Sequence, residues 1–222
     1  MVSGQRVVGN VRLWCWGVIL LFSFTACVDT SDSSPNVLFR DEFVAGQTGA
    51  WVLEGDAVGR TSILNEQLLI EIGEPNTLQF ATLEDPIFTD FDLSVEARLL
   101  EGDRRSSYGL LFRMQDTEQF YRFEITADGL FIVERRNADG SWTRLVDDWT
   151  PSAAINQGLA VTNQLRVITV GPTFSFYVNG NLLHTVQDNQ YRSGAIGLDA
   201  GTFGQGGLRV AFDNVVVQRI GG

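Results

Sequence analysis

The sequence predicts an all-β domain in which two antiparallel sheets stack as a sandwich or jelly roll. Runs rich in Val, Ile, Leu, Phe and Thr alternate with polar residues at period two. Asx-Gly pairs and other turn signals separate these runs at short intervals, and we find no convincing amphipathic helix. About a dozen strands in one domain must close up or stack in order to bury their apolar faces.

The first 26 residues have the composition of a secretion signal. Arg6 and Arg12 are the only charged residues before Asp29, and residues 13–24 are almost entirely apolar. That apolar run is shorter than the roughly 20 residues that a membrane-spanning helix needs, so a spanning helix is the weaker interpretation.

Cys27 closes the stretch LFSFTAC, which resembles the lipobox of bacterial lipoproteins. In those proteins the cysteine thiol receives a diacylglycerol and becomes the mature N-terminus. The resemblance predicts lipidation of Cys27 and a lipid-anchored location in the cell envelope. Phe24 stands where Leu is usual, and cleavage after Ala26 that leaves a free Cys27 is the alternative. Cys15 lies in the part to be removed, so no intramolecular disulfide is expected.

The segment after Cys27 is small, polar and acidic, and Pro35 discourages a helix. It is typical of a flexible tether. We therefore divide the chain into a lipoprotein signal peptide at residues 1–26, a flexible tether at residues 27–36 and one β-sandwich domain at residues 37–222.

The charge balance is acidic and excludes one class of partner. The sixteen basic residues are all Arg, against 27 Asp and Glu, and the net charge is −11. Such a surface repels phosphate backbones, and no run of Arg exceeds two residues. Nucleic acid is therefore not expected as a partner.

The strands follow from the alternation and from the turns between them. In residues 91–99, Phe, Leu, Val, Ala and Leu alternate with polar residues, which indicates a half-buried strand. Asp128-Gly129, Asp139-Gly140 and Asn179-Gly180 predict hairpin turns because type I′ turns need positive φ at both central residues. Asn65-Glu66 is a fourth, weaker candidate. Further strands are predicted at residues 107–113, 120–126, 130–136, 141–145, 165–170, 174–178, 182–186 and 207–217.

A family resemblance covers residues 37 to 218. The segments FRDEF, NEQLLIEI, FDLSVEARL, SYGLLFRMQDTEQFYRFEITADGLFIVER, SWTRLVDDW, NQLRVITVGPTFSFYVNGNLLHTV, SGAIGLDAG and LRVAFDNVVV resemble the concanavalin A-like lectin/glucanase superfamily. They are most similar to its 3-keto-disaccharide hydrolase-like and laminin-G-like bacterial domains. The resemblance implies a concanavalin A-like jelly-roll sandwich. Because the superfamily includes lectins, carbohydrate-binding modules, glycosidases and domains without known activity, function must be argued from the site.

The residue inventory disfavours catalysis, and we predict no catalytic residue. His184 is the only histidine and Cys27 the only cysteine after residue 26, so imidazole-assisted nucleophiles and Cys/His zinc sites are disfavoured. Glycosidases of this fold place acids at alternate positions of one strand, and we find no such pattern. Acids that converge from different strands stay possible.

A glycan-binding surface needs exposed aromatic rings beside polar groups. The candidates cluster in the central meander and its loops. Tyr108 and Tyr121 lie on the same strand faces as their apolar neighbours, so a place in the core is the alternative for both. Burial is also the alternative for Trp142 and Trp149. The predicted ligand-binding residues are Trp142, Trp149, Tyr108, Arg113, Tyr121, Arg122 and Glu124.

The resemblance also implies a structural calcium site in which an Asp near the domain start meets an Asp of the last strand. The matching positions are Asp41 and Asp213. Carboxylate oxygens suit calcium, and a salt-bridged or turn-capping Asp is the alternative.

These observations predict an exported, lipid-anchored, non-catalytic β-sandwich that binds a carbohydrate or another cell-envelope glycan. Its partners would be that glycan and, through the lipid, the membrane. A glycoside hydrolase or 3-keto-disaccharide hydrolase-like enzyme is one alternative, and a structural or protein-interaction module of the envelope is another.

Overall fold

The computed structural model describes residues 36–221, and these fold entirely into strands, turns and loops. The predictions of a signal peptide, of lipidation at Cys27 and of most of the tether lie outside the described residues. None of the described residues belongs to a helix with the length and hydropathy to cross a bilayer. The strands are β1 (Val37–Asp41), β2 (Trp51–Leu53), β3 (Gly59–Leu64), β4 (Gln67–Ile72), β5 (Leu78–Phe88), β6 (Phe91–Glu101), β7 (Ser107–Asp116), β8 (Gln119–Thr126), β9 (Leu130–Arg136), β10 (Trp142–Arg144), β11 (Thr150–Pro151), β12 (Asn163–Val170), β13 (Thr173–Val178), β14 (Asn181–Gln187), β15 (Gly194–Gly201) and β16 (Leu208–Gln218).

The strands form two eight-stranded antiparallel sheets, which confirms the predicted jelly-roll sandwich. Sheet 1 has the order β14-β13-β12-β6-β16-β4-β3, and β1 pairs with β16. Sheet 2 has the order β10-β9-β8-β7-β15-β5-β2, and β11 pairs with β9. Because β15 lies between β7 and β5, residues from distant parts of the sequence become neighbours in sheet 2.

The core lies between the two sheets and is built by strand alternation. In β6 the predicted inward residues Phe91, Leu93 and Val95 have no exposed surface. The meander from β8 to β10 in sheet 2 is also confirmed. The alternation leaves the opposite face of sheet 2, which we call the outer face, free to carry polar side chains.

The turns follow the prediction in part. Asn179 and Gly180 both have positive φ, and so do Asn65 and Glu66. At the Asp128-Gly129 and Asp139-Gly140 turns only the glycine has positive φ. The hairpins therefore lie where the sequence predicts them. Two consecutive residues with positive φ, as type I′ geometry requires, occur only in the Asn65-Glu66 and Asn179-Gly180 turns among these four.

Asp41 holds the start of the domain against the core. Its carboxylate accepts hydrogen bonds from the backbone N–H groups of Phe43 and Gly49, at 2.7 and 2.5 Å, and from Trp51 Nε1 at 2.9 Å. Trp51 is thereby fixed in the core. The hydrogen bonds from Phe43 and Gly49 fit the turn-capping alternative for Asp41.

The predicted calcium site at Asp41 and Asp213 stays a prediction. The Asp41 carboxylate accepts three N–H groups, and the Asp213 carboxylate accepts the N–H of Asn214. Within residues 36–221 no group of three or more His, Cys, Asp or Glu side chains is placed to hold a metal ion.

Replacing Asp41 by Ala should lower the free energy of unfolding by about 3 kcal/mol, because buried N–H donors lose a charged acceptor. Urea denaturation measures the change, and Asp213→Ala is the control, with an expected effect within about 0.5 kcal/mol. Equal effects of the two substitutions would contradict this role of Asp41. Calcium chloride in the same experiment tests the metal prediction, since a bound ion would raise the unfolding midpoint and Asp213→Ala would abolish the rise.

Candidate functional site

The outer face of sheet 2 brings together acidic side chains from separate strands. In β8, Tyr121 and Phe123 point into the core, so Arg122 and Glu124 point outward. Asp199 of β15 lies opposite Gly109 of β7, and Gly109 lies opposite Glu124. Glycine has no side chain to separate the two acids, which therefore meet across β7.

Gly109 is required by this arrangement. A Cβ at this position would lie 2.0 Å from the carbonyl oxygen of Phe123 and 2.7 Å from Cα of Glu124. Since such distances are sterically impossible, only glycine permits the close approach of β7 and β8 on which the contact between the acids depends.

The two acids have no exposed surface. Burial raises the pKa of Asp199 well above its ordinary value of 3.8. The negative charge of Glu124 and a hydrogen bond with Glu124 raise this pKa further, whereas the positive charge of Arg122 lowers it. Among residues 36–221, no group donates a hydrogen bond of normal geometry to Glu124 Oε2 or to the carboxylate oxygens of Asp199, although Glu124 Oε2 forms an ion pair with Arg122. A protonated Asp199 can donate a hydrogen bond to Glu124.

Arg122 covers this pair and links it to the edge of the sheet. Its Nε lies 3.1 Å from Glu124 Oε2, and its Nη2 donates to Glu134 Oε2 at 2.6 Å. The guanidinium carbon lies 4.2 Å from the ring centroid of Trp142. Trp142, Arg122 and the acid pair thus form consecutive layers on the outer face.

Two neighbouring cavities lie at the other end of these layers. The first, which we call the Trp149–Phe203 cleft, has a volume of about 370 Å³ and is lined by Asp103, Arg105, Thr126, Asp128, Leu130, Trp149, Phe203 and Gly204. The second, the Ser107 cavity, has a volume of about 230 Å³ and is lined by Asn76, Thr77, Leu78, Ser107, Arg122, Gly201, Thr202 and Phe203. Phe203 lines both cavities.

The cleft presents aromatic rings beside charged groups. The rings of Trp149 and Phe203 lie edge to face with centroids 6.2 Å apart, and Phe203 is 47% exposed. Asp103 and Arg105, which also line the cleft, form an ion pair at 2.8 Å. An apolar platform with hydrogen-bonding groups beside it is the arrangement that a sugar ring requires.

The structure places four of the predicted ligand-binding residues on the outer face. Trp142 is exposed and Trp149 is half-buried at the cleft. Arg122 lines the Ser107 cavity, whereas Glu124 lies beneath the surface, in contact with Arg122.

The structure puts the other three predicted residues in the interior, so their assignment to a binding surface is wrong. Tyr108 and Tyr121 belong to the core, which is the alternative that their position on the same strand faces as apolar residues left open. Arg113 is 1% exposed and donates to the carbonyl oxygens of Thr89 and Tyr191. It joins β7 to two loops because its long side chain turns inward at an irregularity of the strand pairing.

Sequence reasoning missed Asp199, Ser107 and Phe203. A signal for Asp199 was present: in GAIGLDAG, Gly197, Asp199 and Gly201 share one face, which is unusually small and polar for a strand of a sandwich. No local pattern indicated that Asp199 would lie next to Glu124, because the two residues are brought together through β7.

The fold matches known structures. Carbohydrate binding module CBM66 from Bacillus subtilis aligns with 18% identity and a TM-score of 0.61 over 77% of this chain and 96% of that chain. An endo-beta-1,3-glucanase from Pyrococcus furiosus aligns with 14% identity and a TM-score of 0.58 over 84% of this chain and 95% of that chain. At these identities the likeness establishes the fold alone. No curated protein matches at a significant level, whereas the family model of the 3-keto-alpha-glucoside-1,2-lyase-like domain matches residues 44–218.

The raised pKa of Asp199 predicts how stability depends on pH. A carboxyl whose pKa is higher in the folded state contributes stability that is complete below about pH 4 and is lost as pH rises through the folded-state pKa. Asp199→Asn removes this loss, because the amide donates to Glu124 without titrating. At pH 8 the variant should therefore be more stable than the wild type by about 1 to 3 kcal/mol.

Urea denaturation from pH 4 to pH 9 measures the effect. Glu118→Gln is the control, because this side chain is 63% exposed in its ion pair with Arg136. Identical pH dependence of the free energy of unfolding in the wild type and Asp199→Asn would show that the fold does not raise the pKa of Asp199.

Proposed function

The chain belongs to the family of 3-keto-alpha-glucoside-1,2-lyase-like domains, and from that premise we propose that it is an exported glycan-binding domain. The observation that carries the proposal is the Trp149–Phe203 cleft. Its aromatic rings offer a stacking surface of the kind that sugar rings use, and Asp103, Asp128 and Thr126 line the same cavity with groups that hydrogen-bond hydroxyls. The likeness in fold to a carbohydrate binding module supports it.

The ligand is an uncharged glycan. The cationic groups of the two cavities are already paired: Arg105 of the cleft with Asp103, and Arg122 of the Ser107 cavity with Glu124 and Glu134. A uronate or a sulfate would have to displace one of these carboxylates and would meet the repulsion of an acidic protein. Sugar hydroxyls bind carboxylates and arginines without that cost.

The domain acts at the cell envelope, where a diacylglycerol on Cys27 anchors it. The lipobox-like stretch before Cys27 and the polar tether after it support this location. A tether of this composition leaves the cleft free to reach glycans near the membrane surface.

Removing either aromatic ring of the cleft should weaken glycan binding by at least about tenfold, or about 1.4 kcal/mol. Affinity gel electrophoresis against neutral glucans and fructans, followed by calorimetry, compares the wild type with Trp149→Ala and Phe203→Ala. Tyr177→Ala is the control, because Tyr177 belongs to sheet 1. Uniformly absent binding, or binding only to acidic polysaccharides, would refute the proposed ligand class.

Mass spectrometry of the mature N-terminal peptide should show a diacylglyceryl group on Cys27, and Cys27→Ser should move the protein from the membrane to the soluble fraction. A peptide that begins at Cys27 with a free thiol would contradict the anchor and would leave the glycan-binding proposal intact.

A further inference from the structure

The charged side chains of the Trp149–Phe203 cleft come from two separate loops. Asp103 and Arg105 belong to the loop between β6 and β7, and Asp128 belongs to the turn between β8 and β9. All three line the same cavity as the two aromatic rings. The cleft therefore places charged hydrogen-bonding groups beside a stacking surface only once the domain has folded.

Asp103 and Arg105 form a two-pronged pair. Arg105 Nη2 donates to Asp103 Oδ2 at 2.8 Å, and Arg105 Nε donates to Asp103 Oδ1 at 3.3 Å. The backbone N–H of Arg105 also donates to Oδ1, at 3.0 Å. Hydrogen bonds from the guanidinium and from this N–H hold the pKa of Asp103 below its ordinary value of 3.8, so the carboxylate keeps its charge in mildly acidic solution.

Arg104 fastens the two loops together. Its Nε and Nη2 donate to the carbonyl oxygen of Ala127 at 3.2 and 3.1 Å, and its own carbonyl oxygen accepts the N–H of Asp128 at 3.2 Å. Oδ1 of Asp128 accepts the hydroxyl of Thr126. The charged groups are therefore positioned before a ligand arrives, which lowers the ordering cost of binding.

The pair offers a hydrogen-bond donor and an acceptor side by side. A guanidinium carries five N–H donors and no acceptor, and Asp103 engages only the Nε and Nη2 groups of Arg105. The carboxylate oxygens of Asp103 accept hydrogen bonds and donate none. Hydrogen bonds to charged groups of this kind are stronger than those between neutral groups.

We propose that Asp103 and Arg105 select the ligand of the cleft by binding two adjacent hydroxyls of one pyranose ring. One hydroxyl donates to Asp103, and its neighbour accepts from Arg105. Adjacent gauche hydroxyls lie about as far apart as two hydrogen-bonded groups, so both bonds can form together. The inference rests on the proposed function and narrows it to neutral glycans that carry free vicinal hydroxyls.

The linkage of a glucan decides whether it carries such a pair. In a (1→6)-linked glucan the hydroxyls at C2, C3 and C4 are all free, so every residue within the chain presents adjacent hydroxyls. In a linear (1→3)-linked glucan only the hydroxyls at C2, C4 and C6 are free, and no two of them are adjacent except at a chain end. The pair should therefore retain the first polymer and reject the second.

The test uses the full chain in detergent and measures co-sedimentation with cross-linked dextran beads, a (1→6)-glucan, and with curdlan particles, a linear (1→3)-glucan. We expect the wild type to sediment with dextran and to stay in solution with curdlan. Methyl α-glucopyranoside derivatives then compete with dextran. The 3-deoxy derivative lacks any adjacent hydroxyls and should compete about tenfold more weakly than the 2-deoxy derivative, which keeps the pair at C3 and C4.

Two substitutions connect this preference to the pair. Asp103→Asn and Arg105→Lys should each weaken dextran binding about tenfold and should abolish the difference between the two deoxy competitors. A general loss of folding would not remove that difference alone. Glu71→Gln is the matched control, because Glu71 forms a similar ion pair with Arg60 at 2.7 Å on sheet 1. Its dextran binding should equal that of the wild type.

The outcomes separate this inference from the proposed function. Equal retention on curdlan and dextran, or equal competition by the two deoxy derivatives, overturns the selection by Asp103 and Arg105 and leaves glycan binding in the cleft standing. Dextran binding that Trp149→Ala weakens and Asp103→Asn leaves unchanged does the same. No binding to either polymer, or to any other neutral glycan, overturns both proposals.

Discussion

The alternation of side chains across sheet 2 is the constraint on which the rest of this structure depends. When one face of a strand packs on the core, the side chains of its other face point away from that core. In β8 this requirement buries Tyr121 and Phe123 and directs Arg122 and Glu124 outward. The core and the candidate site are therefore two sides of the same strands, and the rigidity of the core fixes the position of the polar groups.

The outer face is neither an ordinary solvated surface nor a second core. An apolar cluster of Leu111, Met114, Phe120 and Ala195 buries part of it, and the acid pair lies beside this cluster without access to water. Low polarity around the acids raises the pKa of Asp199. Arg122 offsets the remaining charge, and Trp142 covers Arg122. Apolar packing and Arg122 thus enclose the two acids.

The sequence was sufficient for the architecture and for part of the site. Period-two runs and Asx-Gly turns predicted the hairpins correctly, because these signals are local. Trp142 is exposed and Trp149 is half-buried, and their role in ligand binding stays a prediction. Arg113 was placed wrongly, because an irregularity in strand pairing turns a charged residue inward. No local signal records such an irregularity.

By itself, the sequence determined that the chain is an acidic β-sandwich whose strands alternate between core and polar faces. It did so because turn chemistry and side-chain periodicity act over a few residues. Only the tertiary structure decided that Asp199 meets Glu124 and that Phe203 meets Trp149. These contacts depend on which strands become neighbours, and β15 enters between β7 and β5 only when the whole sheet closes. Contacts across so many intervening residues are set by the packing of the complete sandwich.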